Sequence, residues 1–260
     1  MSRFKWQEVT LSRVSKAVGR RIFSLPDLIS WYFSPIGKKN RRRLKELRDS
    51  ISGRNVLLMA NGPSLRSVDF ADYEGHFKIG LNRISLLEEE GDVQCNVVVC
   101  VNELVLEQFS DEFKRNELVF ANWSKRNIFK NIDNIVFLRL SSRVYDKFSF
   151  EISNAVYSGG TVTYVALQVA LYLGADAVDI VGLDHSFKDG GIPNKSEVRE
   201  REVDSDHFHP DYFPKGAVWQ LPDLVRSEYA YRIAKDAFES RCVSVTDRTI
   251  NGKCDVFQKT

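Results

Sequence analysis

The sequence lacks several features that would restrict its class. No run of 18 or more apolar residues occurs, so we predict no membrane-spanning helix. The first residues, MSRFKWQEVTLSR, lack the apolar stretch of a secretory signal, and we expect a cytoplasmic protein. The four cysteines form no CxxC pair, which argues against a zinc site or a disulfide framework. We therefore predict reduced thiols in the core at Cys95, Cys100, Cys242 and Cys254.

Two phosphate-binding fingerprints are also absent. The chain contains neither GxxxxGKS nor GxxxxGKT, and the turn Asn61-Gly62-Pro63-Ser64 does not match GxGxxG. Hydrolysis of ATP by a P-loop and simple NAD binding therefore lose most of their support. A Gly-Pro-Ser turn that leads into a helix can still hold an anion through its backbone amides.

The distribution of charge divides the chain at about residue 50. The 260 residues carry a net charge of +2, but residues 1–50 hold 13 Lys and Arg against 4 Asp and Glu, which leaves the rest acidic. With 43% hydrophobic residues the chain can bury a large core. We therefore predict a basic extension over residues 1–50 and a catalytic domain over residues 51–260. Nucleic acid is not an expected partner, because the main domain is acidic.

The basic extension allows two interpretations. Residues 22–37 read IFSLPDLISWYFSPIG, with the aromatic residues Trp31, Tyr32 and Phe33 just before a cluster of cations from Lys38 to Arg43. Such a segment can bind an anionic membrane surface, which would place the protein at the inner face of the cytoplasmic membrane. Alternatively, it forms a helical hairpin that packs on the main domain.

From residue 54 onwards, short apolar runs alternate with helical stretches. This pattern predicts an open, mainly parallel α/β sheet with helices on both faces. The predicted strands are Arg54–Ala60, Phe77–Leu81, Cys95–Val101, Glu117–Asn122, Asn134–Leu138, Ala177–Val181 and Cys242–Thr246, and the predicted helices are Ile84–Glu90, Thr161–Leu173 and Asp223–Ser240.

Polar residues follow the predicted strands where a sheet of this kind binds ligands. Asn61 and its turn follow the first strand, Asn82 the second, Asn102 the third, and residues 182–186 the Ala177–Val181 strand. Their neutral donors and acceptors suit a base and a ribose, although Asn and Gly are also common turn and cap residues. Ser158-Gly159-Gly160-Thr161 offers a second place for an anion, at the start of a long buried helix.

Three of the four histidines fall within a long polar connection. His185 opens it, and His207 and His209 follow an acidic stretch ending at Asp206. Connections of about 40 residues are commonly lids or binding loops, and a histidine there can act as a base near neutral pH. The alternative is a metal site built from Asp184, His185, Asp206, His207 and His209, whose spacing matches no standard zinc pattern.

Several motifs together resemble a known family. They are MANGPSL, Asn82 in GLNRI, Asn102 in VNELVLEQF, SGGTVTYVALQVALYLGADAVDIVGLDHSF and HFHPDYFPKGAVWQLPDL. These segments look like the family of motility accessory factor (Maf) and MptE-like proteins, which is similar to bacterial lipooligosaccharide sialyltransferases and archaeal hydroxymethyldihydropterin pyrophosphokinases. The resemblance covers roughly residues 54–250 and implies a Rossmann-like sheet of a variant GT-A type.

The resemblance also implies roles for particular residues. A histidine of the long loop, His207 or His209, would be the base. Asp184 matches the Gly-Ile-Asp segment of the sialyltransferases and would be a further catalytic residue. Tyr212 could replace a tyrosine that steadies the departing phosphate, since Ser186 stands where one is expected, and His185 would contact substrate. The nucleotide contacts carried over are Asn61, Gly62, Ser64, Asn82, Asn102, Ser158, Gly159, Gly160, Gly182 and Leu183.

The first functional expectation is therefore a glycosyltransferase that uses a cytidine monophosphate (CMP) activated acidic sugar, of the sialic acid or Kdo type. Its partners would be the nucleotide-sugar donor and a glycan or lipid-linked acceptor, and it would need neither cofactor nor metal. The alternative is an MptE-like pyrophosphokinase that uses ATP with Mg²⁺. A non-catalytic nucleotide-sugar binding module is the third interpretation, and a homo-oligomer remains open.

Overall fold

The computed structural model describes residues 25–91, 93–143, 145–187 and 192–259. Its main feature is an eight-stranded sheet in the order β10-β9-β6-β1-β2-β3-β4-β5, in which every neighbouring pair is parallel. These strands are β1 (Asn55–Met59), β2 (Phe77–Leu81), β3 (Val97–Cys100), β4 (Val119–Asn122), β5 (Ile135–Leu138), β6 (Ala177–Val181), β9 (Ser244–Asp247) and β10 (Gln258–Lys259).

The strand order reverses between β1 and β6. Strands β2 to β5 extend from β1 to one side, and β6, β9 and β10 extend to the other. The central strands are buried on both faces, which explains why their sequences read as uninterrupted apolar runs. The predicted open, parallel α/β sheet is confirmed.

The helices are α1 (25–33), α2 (Pro35–Glu46), α3 (Ser85–Glu89), α4 (Glu103–Gln108), α5 (Val162–Leu173) and α6 (Leu224–Glu239). Helix α5 is buried around most of its circumference, lies over β2 and β3, and packs against α6. It ends at Gly174, which has a left-handed φ of 95° that favours glycine. No helix among the described residues is long and apolar enough to cross a membrane.

The described part of the basic extension packs on the main domain. Trp31 is fully buried and meets Trp123 edge to face, with ring centroids 5.1 Å apart. In α2, the Asn40 side chain donates to the Phe137 carbonyl at 2.9 Å and accepts from the Phe137 amide at 2.8 Å. Helix α2 thereby covers the edge strand β5, whose backbone would otherwise be open to pairing with another chain.

The three aromatic residues of this segment have different environments. Trp31 is buried, Tyr32 is half-buried beneath the Arg41 guanidinium, and Phe33 is 72% exposed. The burial of Trp31 fits the interpretation in which the segment packs on the main domain, and of the three rings Phe33 alone is largely exposed. The first 24 residues of the predicted extension lie outside the described residues.

The long connection after β6 is packed against the domain over its described residues 192–223. It contains a two-stranded antiparallel sheet of β7 (Ser196–Val198) and β8 (Val218–Gln220). The Gln108 side chain of α4 exchanges two hydrogen bonds of 2.8 Å with the Val218 backbone. Arg83 donates to the carbonyls of Asp211 and Tyr212, so the connection is fixed at both its middle and its second strand.

All four cysteines are free thiols, and three of them occupy the core as predicted. Burial raises the pKa of Cys95 and Cys100, because the thiolate would be poorly solvated there. Cys242 is exposed, which corrects the expectation of a fourth core thiol. It occupies the turn after α6 with a φ of 57°.

Candidate functional site

A cleft of about 500 Å³ opens at the carboxyl ends of the strands, around the point where the strand order reverses. Open parallel sheets bind ligands at this position. Most of the residues singled out from the sequence line it, namely Asn61, Gly62, Asn82, Asn102, Ser158, Gly160, Gly182, Leu183, Asp184, His185, His207 and Tyr212. Ser64, Gly159 and His209 are not part of the lining.

The turns after β1 and β6 are bonded to each other. The Asp184 carboxylate accepts from the Ser64 amide at 3.2 Å and from the Ser64 hydroxyl at 2.7 Å. The Gly62 amide donates to the Gly182 carbonyl at 2.9 Å, and a Cβ on Gly62 would overlap Asp184. Residue 62 is therefore glycine because any side chain there would collide with the Asp184 carboxylate. Both Ser64 and Asp184, predicted as nucleotide and catalytic residues, hold the shape of this rim.

The asparagines of the rim fall into two groups. The side-chain oxygens of Asn61 and Asn82 are buried and accept from no backbone amide among the described residues, and Asn82 lies beside the Tyr212 hydroxyl. Asn102 instead caps α4, accepting from the Leu104 amide at 3.0 Å, and Asn122 accepts from the Ser124 amide at 3.1 Å. The Asn61 and Asn82 oxygens are therefore not committed to a helix or turn cap, whereas the Asn102 oxygen is.

We expect Asn102→Ala to lower the free energy of unfolding by about 1 kcal/mol, the usual cost of losing a helix cap. Asn102→Asp keeps the capping acceptor and should stay close to wild type. Urea denaturation of both variants measures the difference. Unchanged stability of the alanine variant together with lost nucleotide binding would contradict this assignment.

The amino end of α5 forms the opposite wall of the cleft. Thr161 caps this helix by accepting from the Thr163 amide at 3.3 Å, and Gly160 precedes it with a φ of 78°. Gly159 lies behind this wall, because a Cβ there would collide with Tyr164 and Ala230. The positive end of the α5 dipole is thus directed to the cleft, where it favours an anion.

Arg226 brings a cation to the same wall, and the sequence analysis missed it. Its guanidinium binds the Asp146 carboxylate through two bonds of 2.9 and 3.0 Å and donates to the Ser158 hydroxyl at 3.1 Å. These contacts raise its pKa, first through the hydrogen bond with Asp146. Its position in the sequence was a usable signal, because Arg226 lies in the first turn of α6. A cation there is unfavourable for the helix dipole, which indicates that it is needed for a contact elsewhere.

His207 is held in one orientation by a buried carboxylate. Its Nδ1 lies 2.9 Å from Asp204 Oδ2, and Asp204 is in turn 3.5 Å from Arg199. Burial by itself raises the pKa of Asp204, but the hydrogen bond and charge of His207, the Asp206 amide and Arg199 together lower it below its usual value. Asp204 is therefore ionised at neutral pH. The spacing of three residues between Asp204 and His207 was the only sequence signal for this pair.

Aromatic rings fix the plane of the His207 imidazole. It stacks on Tyr212 with centroids 4.1 Å apart and an interplanar angle of 2°, and Phe213 meets it edge to face at 5.3 Å. The Tyr212 hydroxyl is buried beside Asn82, and burial raises its pKa although the hydrogen bond with Asn82 opposes that rise. His207 lines the cleft, and since Nδ1 is engaged by Asp204, Nε2 is the ring nitrogen that this carboxylate leaves available.

The other two candidate histidines differ from His207. The Nδ1 of His209 accepts from the Asp211 amide at 3.1 Å, and its Nε2 lies 3.3 Å from Glu90, outside the cleft lining. His185 lines the cleft with a φ of 53°, and burial lowers its pKa. Only His207 combines a place in the cleft with a carboxylate partner among the described histidines.

The described carboxylates near the cleft do not form a cluster of metal ligands. Among the residues that the structure describes, no three His, Cys, Asp or Glu side chains converge. Asp184 is bonded to Ser64, and Asp146 is paired with Arg226. The residues present do not fit a metal held by the protein alone, so we assign no step to one.

Comparison with known proteins agrees with this architecture. The chain is similar in fold to the MAf glycosyltransferase from Magnetospirillum magneticum AMB-1, with a TM-score of 0.51 and 14% sequence identity. The similarity covers 86% of this chain but 38% of that protein, so the chain corresponds to a part of its length. No curated protein matches the sequence.

A family model gives the more direct assignment. The model of MptE-like 6-hydroxymethylpterin diphosphokinases matches residues 36–190, which is more than half of the chain. This match contains the turns after β1 and β6 and the start of α5, and it ends before His207. The resemblance inferred from the sequence motifs is confirmed, and the chain belongs to the MptE-like family.

Proposed function

We propose that the protein is a glycosyltransferase that moves an acidic sugar, a sialic acid-like nonulosonate or Kdo, from CMP to a glycan or lipid-linked acceptor. The pathway would be the synthesis of surface polysaccharide or glycoconjugates. The observation that carries the proposal is the His207–Asp204 pair, placed at a cleft whose other walls carry the Asn61 and Asn82 side chains and a helix amino end.

The pair supports a role for His207 as general base. The Nδ1–H group of His207 donates a hydrogen bond to the ionised Asp204 carboxylate. In this tautomer the lone pair of Nε2 is free to accept a proton. In the proposed reaction Nε2 removes the proton of the acceptor hydroxyl as that oxygen bonds to the sugar. Asp204 is a positioning residue, because it fixes the tautomer and stabilises the imidazolium that forms.

The opposite wall supports the leaving group. As the bond between sugar and CMP breaks, negative charge develops on the phosphate. The amides at the start of α5 and the Arg226 guanidinium lie where they can stabilise that charge. Asn61 and Asn82 supply neutral acceptors for the amino or hydroxyl groups of cytidine.

A thermal-shift panel tests the donor class. CMP, CDP, UDP, GDP and ATP are each compared with and without Mg²⁺, and a ligand at about 100 times its Kd should stabilise by about 2.7 kcal/mol. Stabilisation by CMP without metal, followed by transfer from CMP-sugar donors, supports the proposal. A response to ATP with Mg²⁺ alone would overturn it.

The second candidate is a pyrophosphokinase, and the match to the MptE-like family favours it. In that reaction Mg²⁺ would neutralise the phosphates of ATP, and carboxylates near the cleft such as Asp184 or Asp206 would help to hold it. Asp184 would first have to release Ser64. A binding module without catalysis is the third, and binding of CMP without any transfer would support it.

We expect Asn82→Gly to weaken CMP binding by about 1–3 kcal/mol, because a group on the nucleotide would lose its buried partner. Glycine tolerates the φ of 47° at this position, so the backbone is not strained. The matched control is Asn131→Gly, at a φ of 62° on the surface before β5. Calorimetric titration with CMP measures both, and equal affinities would remove Asn82 from the nucleotide site.

A further inference from the structure

We propose that α1 and α2 carry a surface that binds an anionic lipid bilayer beside the cleft. We call the exposed apolar side chains Leu25, Ile29, Phe33 and Ile36 the apolar stripe. Only the identity of the lipid-linked acceptor rests on the proposed function. The lipid contact itself is argued from exposure, charge and position.

Helix α1 has two faces of different character. Trp31 packs into the domain, the Asp27 carbonyl accepts from the Trp123 indole at 3.1 Å, and the Asp27 carboxylate pairs with Arg126 at 2.6 Å. Leu25, Ile29 and Phe33 recur every four residues, so they share one side of the helix. They are 50%, 52% and 72% exposed, and Ile36 at the start of α2 is 61% exposed. The residues that the structure describes leave this side of α1 largely exposed.

Exposed cations follow the apolar stripe along α2. Lys38, Lys39 and Lys45 of α2 are exposed, whereas Arg41 and Arg43 donate to carbonyls of Tyr32 and of the β5 region. No Asp or Glu occurs between residues 28 and 45, although the rest of the chain beyond residue 50 is acidic. An anionic bilayer therefore complements this surface and repels the remainder of the protein.

The position of the stripe connects it to the cleft. Trp123 directly follows β4, so α1 lies at the carboxyl edge of the sheet, where the cleft also opens. Asn122 and Leu140, which follow β4 and β5, are part of the cleft lining. A bilayer that covers the stripe would lie beside the cleft, where an acceptor anchored in that bilayer can enter.

Vesicle co-sedimentation of the full chain tests the proposal. We expect pelleting with vesicles that contain phosphatidylglycerol, less pelleting as salt rises, and none with pure phosphatidylcholine. Phe33→Glu should lower the partition coefficient by about tenfold or more, because the ring no longer enters the bilayer. Its control is Val225→Glu, at an apolar side chain that is 82% exposed on α6.

A second pair of variants tests the charge. Lys38→Ala combined with Lys39→Ala should lower binding by about 25-fold, since each surface cation contributes about a factor of five. Lys235→Ala combined with Lys253→Ala removes two exposed cations elsewhere and should change little. CMP stabilisation of all variants, measured separately, keeps a failure of lipid binding distinct from a failure of the proposed function. Equal sedimentation of Phe33→Glu and wild type would overturn the proposal. It would also be overturned if the wild-type protein formed dimers in the absence of lipid and Phe33→Glu abolished them, because the stripe would then be a contact between two copies of the chain.

Discussion

Replacement of His207 by alanine is expected to lower turnover by about 10²- to 10⁴-fold in a transfer assay with CMP-sugar donors. A general base acts mainly in the transition state, so the affinity for CMP should change little. His209→Ala is the matched control, because that ring is bonded to Glu90 outside the cleft lining. A His207→Ala protein with full turnover would show that His207 is not the base.

The same assay separates positioning by Asp204 from mere support of the fold. Asp204→Asn keeps the shape of the side chain but removes the charge and can donate to Nδ1, which favours the wrong tautomer of His207. We expect turnover to fall by about 10²-fold or more, with CMP affinity retained. Equal turnover of Asp204→Asn and wild type would argue against the pairing.

The second large effect concerns stability. Trp31→Ala is expected to lower the free energy of unfolding by about 3–5 kcal/mol, the usual range for deleting a buried aromatic ring. Trp31 is fully buried and packs on Trp123, which in turn meets Phe137 of β5 at 5.8 Å. Urea denaturation at 25 °C measures the change, and Phe33→Ala is the control, because Phe33 is 72% exposed.

Removal of the basic extension is expected to destabilise the protein as well. A chain that starts at Ser52 loses Trp31, Leu44 and the Asn40 side chain that occupies the β5 backbone at Phe137. We expect such a chain to be less stable and to aggregate, because the edge strand becomes open to pairing. A truncated chain with the stability of the full protein would show that the extension packs without contributing to the fold.

The sequence alone determined the sheet and its functional edge. Runs such as Val97–Cys100 are apolar throughout because both faces of a central parallel strand are buried, and Thr161 and Gly174 mark the two ends of α5. Because the carboxyl ends of parallel strands meet at one edge, residues that follow separate strands could be placed at a common cleft. These signals are local and depend on burial and backbone geometry.

The tertiary structure decided which of those residues remain available to a ligand. Asn82 and Asn102 look alike in the sequence, yet Asn102 is used by the α4 amides and Asn82 is not. Arg226 and Asp146 are 80 positions apart, and nothing local predicts their contact. Side chains in long-range pairs carry no periodicity that a sequence could show.

In the basic extension, too, the sequence determined one property and the tertiary structure another. A sequence with aromatic residues beside cations suits a bilayer or a protein core equally well, because both bury apolar surface. The fold resolved this by supplying Trp123 as a partner for Trp31 and none for Phe33 among the described residues. Composition thus determined that apolar surface exists in this segment, and only the packing of α1 on Trp123 and Arg126 decided which side of the helix is left exposed.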